Sequence, residues 1–243
     1  MPKPRRVEPE LLDELPPLDP RAIGSRRDLR RINAWMMQAG IMARLLGQAT
    51  ERQRPPLTML ELGSGDGTFM LSVARRLAPM WPSVSVQLLD RQALVTEDTR
   101  AAFAKLGWRA EPVQADVFEA LADGGKRDVD VITANLFLHH FEPSRLKLLL
   151  EQMARKTRLV AVCEPRRSAL ALAGSRMIFA IGCNDVSRHD AVVSVRAGFS
   201  GRELSDLWPS PGSVAASWRL DETAAGLFTH TFVARCVQAE VTQ

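Results

Sequence analysis

The sequence predicts an α/β protein: a mostly parallel sheet with helices on both faces, a helical cap before it and an antiparallel hairpin at its end. Three observations carry that expectation. From residue 57 onward, apolar runs of strand length alternate with segments whose apolar residues recur at helical spacing, the pattern of a parallel sheet wound by helices. The first strand-like run leads into a turn, Gly63-Ser64-Gly65-Asp66-Gly67, with a helical pattern directly behind it. Beyond residue 214 the alternation stops, and two strand-like runs follow one another across a turn.

Residues 1–20 are rich in Pro, Arg and Glu and lack a period, so they are expected to wrap over the surface or to be partly disordered. Over 25–49, Leu29, Ile32, Trp35, Met36, Ile41, Met42, Leu45 and Leu46 fall at helical spacing, with Gly40 as the expected break between two cap helices. Gln53-Arg54-Pro55-Pro56 then punctuates the chain, dividing it into an N-terminal extension and cap, 1–54, and a sheet domain, 55–243. Strands are expected at 57–62, 84–89, 109–115, 129–134 and 159–163, with helices between them at 68–78, 93–106, 117–122 and 144–156. A further helix is expected at 168–181, whereas 182–198 is polar and shows neither period. The runs 214–220 and 227–236, split by a turn at 221–226, form the hairpin.

A chain of 243 residues that is 46% hydrophobic can bury a sizeable core. Its net charge of +4 arises from basic residues spread along the chain among acidic ones, which argues against a nucleic-acid partner with a concentrated basic stripe. Cys163, Cys183 and Cys236 are far apart and odd in number, the usage of buried thiols in a reducing compartment rather than of disulfides or a zinc site. With no apolar run of about 18 residues and no signal core behind Met1, a cytoplasmic protein without a membrane span is expected.

The glycine turn carries the chemistry. Glycines let the backbone approach a ligand closely, but here they stand at 63, 65 and 67, unlike the Gly-x-Gly-x-x-Gly of dinucleotide sites, and Glu61 and Asp66 flank them. That charge pattern suits a ligand with a cationic centre and an ammonium better than a diphosphate. The next strand ends at Asp90, followed by Arg91, where a carboxylate can accept hydrogen bonds from ribose hydroxyls. The third ends before Asp116-Val117 and the fourth at Asn135-Leu136, at the same crevice, because ligands of open parallel sheets bind outside the carboxyl ends of the strands. Each aspartate alone could equally cap a helix.

On Glu61 through Gly67, Asp90, Asp116-Val117, Asn135 through Phe141 and the terminal hairpin, residues 57–236 resemble a class I S-adenosylmethionine (SAM)-dependent methyltransferase. The resemblance implies a Rossmann-like sheet of seven strands and SAM as cofactor, with S-adenosylhomocysteine as product. Gly63, Gly65 and Asn135 would line the methionine part, Asp90 bind the ribose, and Asp116 with Val117 contact the adenine, with Glu61, Ser64, Asp66, Gly67, Arg91 and Leu136 also at the cofactor. Leu138-His139-His140-Phe141 is similar to small-molecule methyltransferases of quinone biosynthesis and polyketide tailoring. Asp28 to Asn33 and Ser187 to Asp190 resemble methyltransferases found with type III polyketide synthases.

Methyl transfer to a hydroxyl needs the acceptor placed in line and its proton removed, and histidine is the natural base near neutral pH. The candidates are His139 and His140 behind the fourth strand and His189 in the polar stretch, whereas His230 in the hairpin reads as structural. Glu164 can orient an acceptor hydroxyl or pair with Arg166, and Arg166, Arg188, Asp190 and Arg196 are candidates for an acidic or phenolic acceptor or simply a solvated cluster. Trp35, Met36, Met37, Met42 and Phe179 form an apolar wall for a substrate or a helical core stripe. No set of carboxylate or amide ligands for a metal is recognisable, so none is expected. The reading is O-methylation of a small phenolic or polyketide-like acceptor by a monomer or homodimer. The alternatives are N- or C-methylation of another metabolite, or a SAM-binding module without turnover.

Overall fold

The computed structural model describes residues 4–50, 57–122, 128–210 and 217–237. Parallel strands form where the apolar runs lie: β1 Thr58–Leu62, β2 Ser85–Asp90, β3 Arg109–Gln114, β4 Val131–Asn135 and β5 Leu159–Pro165. β6 Ser217–Ala225 and β7 Thr229–Val237 complete the hairpin. One seven-stranded sheet results, in the order β3-β2-β1-β4-β5-β7-β6, with β7 antiparallel to both β5 and β6. The order reverses between β1 and β4, where Leu62 and Ala134 pair, and that switch point opens a crevice at the carboxyl ends of the strands.

Burial follows position in the sheet. Every residue of central β5 is buried, as a strand covered on both faces requires, whereas edge strand β6 alternates exposed and half-buried residues. One core forms against α3 Gln38–Ala49, α4 Thr68–Leu77 and α5 Glu97–Ala104, around Met42, Leu46, Met59, Met70, Val86, Phe103 and Trp108. Trp108 satisfies its indole N–H on the Trp81 carbonyl, 2.9 Å away. A second core lies under α6 Val117–Ala122, α7 Pro143–Lys156 and α10 Glu203–Leu207, around Leu60, Leu62, Leu146, Leu150, Met153, Phe199 and Phe232. No helix among the described residues is long and apolar enough to cross a membrane.

The cap departs from expectation in two ways. Its first helix, α2, runs from Pro20 to Trp35, started by Asp19, whose Oδ1 accepts the Arg21 N–H at 2.8 Å, with Pro20 at the first helical position. The break falls at Met36 and Met37, not at Gly40, which lies inside α3. Met37 takes a left-handed φ of 55°, and its N–H closes on Ala34 O. Methionine advertises no such turn, so glycine was the misleading marker. The linker at 53–56 and the boundary at 54/55 lie outside the described residues. Met42 and Leu46 of α3 are wholly buried in the sheet's own core.

The polar stretch at 182–198, expected to be irregular, contains helix α9 Asp185–Ala197. Its N-cap is Asn184, whose side chain accepts the Ser187 N–H at 2.8 Å. The helical period is hidden because polar residues lie on its buried face: Ser187 Oγ lies 3.1 Å from both Ser25 Oγ and Asp28 Oδ2. Before it, α8 Ala169–Met177 passes into a 3₁₀ turn, Ile178–Ile181. The hairpin turn sits at Gly226, with a φ of 70°, so the residues expected to turn at 221–225 belong to β6. Residues 214–216 and the side chain of Phe179 lie outside the description.

The N-terminal residues wrap over the surface, one of the two alternatives expected of them, and none of 4–20 is buried. From Pro4 they run extended across the mouth of the sheet, with Arg6 N bonded to Arg196 O at 3.1 Å, into the single turn α1 Leu11–Glu14. The Leu11 and Leu12 N–H groups donate to the Asp190 carboxylate on α9, at 2.8 and 3.0 Å.

Candidate active site

β1 turns into α4 through three glycines with φ of 66°, 55° and 75° at 63, 65 and 67. At Gly63 a Cβ would stand 2.3 Å from the Phe137 ring, so this position is closed to any side chain. At Gly65 the same atom would meet nothing within 4 Å, because that position faces the crevice. Asp90 at the end of β2 braces the turn, accepting the Gly65 N–H at 2.8 Å through Oδ2 and the Gln92 N–H at 2.9 Å through Oδ1. Asp66 Oδ1 accepts from Thr68 N at 3.0 Å and Thr68 Oγ1 at 2.6 Å, starting α4, while its Oδ2 meets Arg30 Nη1 of α2 at 2.6 Å. Asp116 Oδ1 takes the Phe118 N–H at 2.8 Å as α6 begins, so the capping role and a place at the crevice coexist in one residue.

Glu61, Gly63, Ser64, Gly65, Asp66, Asp90, Arg91, Asp116, Val117, Asn135 and Leu136 all line one cavity of about 1320 Å³. Gly67 lies behind it, against Leu88 and Thr99. The cavity exceeds the ~300–1,000 Å³ usual for a single ligand. Among the buried polar atoms on it without a hydrogen-bond partner are Asn33 Oδ1 on α2 and, at the strand ends, the trio Glu61 Oε2, Ser64 Oγ and Asn135 Oδ1. Buried polar groups are normally satisfied, so this trio marks where a polar ligand completes the structure. Burial, then the charges of Asp90 and Asp66, raise the Glu61 pKa well above the usual carboxylate range. A cationic group is what such a carboxylate lacks.

At the other end of the cavity stand His139 and His140, on the 3₁₀ turn Leu138–His140. Glu164, at the end of β5, holds that turn from beneath: Oε1 accepts the Phe137 and Leu138 N–H groups at 3.0 and 2.7 Å, and Oε2 meets His139 Nδ1 at 2.7 Å. The side chain is wholly buried and does not line the cavity, so it orients the histidine rather than an acceptor. His139 Nε2 lies 3.2 Å from Glu10 Oε1. Burial acts to lower the His139 pKa but is outweighed by the hydrogen bonds to Glu10 and Glu164 and by their charges, and the pKa is raised to about 9. In this state His139 is an imidazolium with both nitrogens donating, so it has no lone pair for an acceptor's proton. For Glu10, burial is outweighed by the His139 hydrogen bond, both histidine charges and the Ser194 hydroxyl, which lower its pKa to about 2. His140 Nδ1 is 3.0 Å from Asp13 Oδ2.

Several expected residues stand elsewhere. The His189 side chain is 46% exposed, 2.9 Å from Asp190, and does not reach the cavity. Arg188 and Arg196 also miss it, because α9 turns Ser187, Asp190, Ala191 and Ser194 inward instead. Asp190 lines the cavity, but its carboxylate is engaged by α1. Arg166 does not pair with Glu164, but reaches back to the hairpin turn, donating to Gly226 O at 3.2 Å. Trp35 and Met36 do line the cavity, with Trp35 against the Phe228 ring at 5.2 Å, whereas Met37 is exposed and Met42 is core. Cys163 is buried, with its thiol pKa pushed up by burial and by Glu164. Three residues of this end were missed: Glu10, Asp13, and Arg5, whose guanidinium donates to the His139 and Phe141 carbonyls at 2.9 and 2.8 Å. Their segment has no periodicity, so only its path across the sheet brings them here.

Residues 59–158 match the family model described as a methyltransferase domain. No curated protein sequence matches the chain. Among solved structures, the plantazolicin methyltransferase BpumL in complex with S-adenosylhomocysteine is 14% identical, with a TM-score of 0.61 over 90% of this chain and 91% of its own. The mitomycin 7-O-methyltransferase MmcR is 18% identical, with a TM-score of 0.59 over 93% of this chain and 60% of its own. An O-methyltransferase family protein from Burkholderia thailandensis is 17% identical, with a TM-score of 0.55 over 93% of this chain and 65% of its own. The chain thus spans 60–65% of the length of the O-methyltransferase-family structures it matches. Residues 59–158 thus match a methyltransferase domain, and the seven-stranded sheet shares the fold of these methyltransferase structures.

Proposed function

We propose that the protein methylates a hydroxyl of a small, largely apolar acceptor bound between the glycine turn and the His139–His140 pair. The observation that carries this reading is the single cavity, with unpartnered polar atoms of Glu61, Ser64 and Asn135 at one end and the histidine cluster at the other. SAM supplies an electrophilic methyl on a sulfonium. Glu61, Ser64, Asn135 and the Gly63–Gly65 backbone receive its methionine part, Asp90 its ribose, and Asp116 and Val117 its adenine. Leu29, Met36, Phe137, Phe141 and Ile178 line the space left for an acceptor. His140, part-exposed on the cavity, stands at that end as an imidazole able to hydrogen-bond the acceptor oxygen. Fold likeness to a 7-O-methyltransferase supports oxygen as the accepting atom.

The test is turnover with a panel of phenols and hydroxylated polyketides, read as S-adenosylhomocysteine released and as the methylated atom identified by mass spectrometry and NMR. O-methyl products are expected. Exclusive N- or C-methyl products would overturn the choice of atom, and SAM binding without transfer to any acceptor would favour a non-catalytic module.

A further inference from the structure

The histidine end of the cavity is built like a metal centre. His139 and His140 are neighbours in sequence, and the 3₁₀ turn brings their ring centroids to 4.3 Å. Each ring is held on its Nδ1 side by a carboxylate, His139 by Glu164 at 2.7 Å and His140 by Asp13 at 3.0 Å. That leaves the two Nε2 atoms for a common target. Both face Glu10: His139 Nε2 is 3.2 Å from Oε1, and His140 Nε2 is 3.8 Å from Oε2. One ligand atom from each of the three residues lies within 4.8 Å of the others. An ion with tetrahedral bonds of about 2.0–2.2 Å holds its ligands roughly 3.4 Å apart, so shifts below ~1 Å would close this set on it. A carboxylate on the far nitrogen is also the usual outer support of a metal-bound histidine.

We propose that Glu10, His139 and His140 bind one zinc ion through the Glu10 carboxylate and the two Nε2 atoms, with a fourth position open to the cavity for the acceptor's oxygen. Two imidazoles and one carboxylate are a zinc-type donor set, whereas magnesium and calcium seek oxygen ligands throughout. The local charge points the same way. Three carboxylates, those of Glu10, Asp13 and Glu164, converge here, and Arg5 is the cation that reaches the turn from outside, through its carbonyls. On loading, His139 releases its Nε2 proton to water and keeps Nδ1–H on Glu164. An acceptor hydroxyl in the fourth position then breaks its O–H bond, with the proton passing to water and the electron pair remaining on an oxygen stabilised by the ion. The acceptor class is therefore a phenol or an enol, favourably one with a neighbouring carbonyl to chelate. This role rests on the acceptor binding at the histidine end, but binding of the ion does not.

Metal-stripped full-length protein is titrated with zinc chloride by calorimetry, and with cobalt(II) as a visible-absorption probe, both without SAM or acceptor. One equivalent of zinc and a tetrahedral cobalt spectrum are expected. Glu10→Gln and His140→Gln, each removing a direct ligand, should weaken zinc by at least the roughly 10–100-fold that loss of an outer partner costs, with SAM affinity within about twofold of the parent. His140 is part-exposed, so His140→Gln carries the test should Glu10→Gln loosen the N-terminus. Substoichiometric zinc in the parent, or undiminished binding in His140→Gln, would overturn the proposal. These readouts need no methyl transfer, so inactivity toward every acceptor would count against the proposed function alone.

Discussion

Glu61 shows how one residue can be costly in the empty protein and useful in the loaded one. Its Oε2 is buried without a partner, and its pKa is raised by burial and by Asp90 and Asp66. An acid whose folded pKa is raised stabilises nothing by ionising: its contribution is unimpaired at low pH and is eroded as pH rises through the unfolded value toward the folded one. An ammonium beside it reverses this, so SAM binding should release a proton wherever Glu61 starts out neutral, and affinity should climb with pH over that range. Calorimetry in buffers of different ionisation enthalpy would detect that proton. Glu61→Gln should abolish it and cost roughly 1.5–3 kcal/mol of SAM affinity, about 10- to 100-fold, while leaving the melting temperature of the empty protein no lower. The acidic character of this position and of Asp90 and Asp116 was legible from strand ends alone. That Glu164 would serve the His139 turn rather than a substrate was not, because the side a strand-end carboxylate faces depends on which loop lies over it.

Among the elements, the terminal hairpin and the N-terminal segment illustrate opposite kinds of legibility. The hairpin follows from two apolar runs, yet its inner wiring is polar: Glu222 of β6 accepts from His230 Nε2 at 2.8 Å and from the Leu204 and Ser205 N–H groups at 3.0 and 2.7 Å, holding the start of α10. Burial opposes ionisation of Glu222, but the His230 and Ser205 bonds outweigh it and lower the pKa. A depressed carboxylate contributes stability above its unfolded pKa and loses it as pH falls through the folded one. Glu222→Ala should therefore cost about 3 kcal/mol near neutral pH and less in acid, as read by denaturant unfolding. The N-terminal segment is held by a few polar anchors rather than by apolar burial. Arg5→Ala removes its bonds to the His139, Phe141 and Ala197 carbonyls. It should raise hydrogen exchange over 6–14 and the acceptor KM, with SAM affinity unchanged because Arg5 touches only the far end of the cavity. An exchange pattern identical to the parent would show that the segment is held elsewhere.

At the scale of the molecule, the cavity is enclosed by parts distant in sequence: the glycine turn, α2, the N-terminal segment, α8, α9 and the 3₁₀ turn at His139. Ligand binding should therefore be felt by the cap as well as the sheet. SAM at 100 times its Kd should stabilise the fold by about 2.7 kcal/mol, raising Tm by roughly 5–11 °C for a chain of this size, with hydrogen-exchange protection extending into α2. Protection confined to the glycine turn would mean that the cap does not close on the cofactor. The sequence by itself determined the sheet, its hairpin and the glycine turn, since strand and helix periods and glycine spacing are local properties that every residue in an element repeats. Only the tertiary structure decided that α9 is a helix, whose buried polar face hides its period, and that His189, Arg188 and Arg196 face away from the cavity. It alone brought Glu10 across to His139 and His140, because a contact between remote segments is set by the path of the backbone and leaves no period to read.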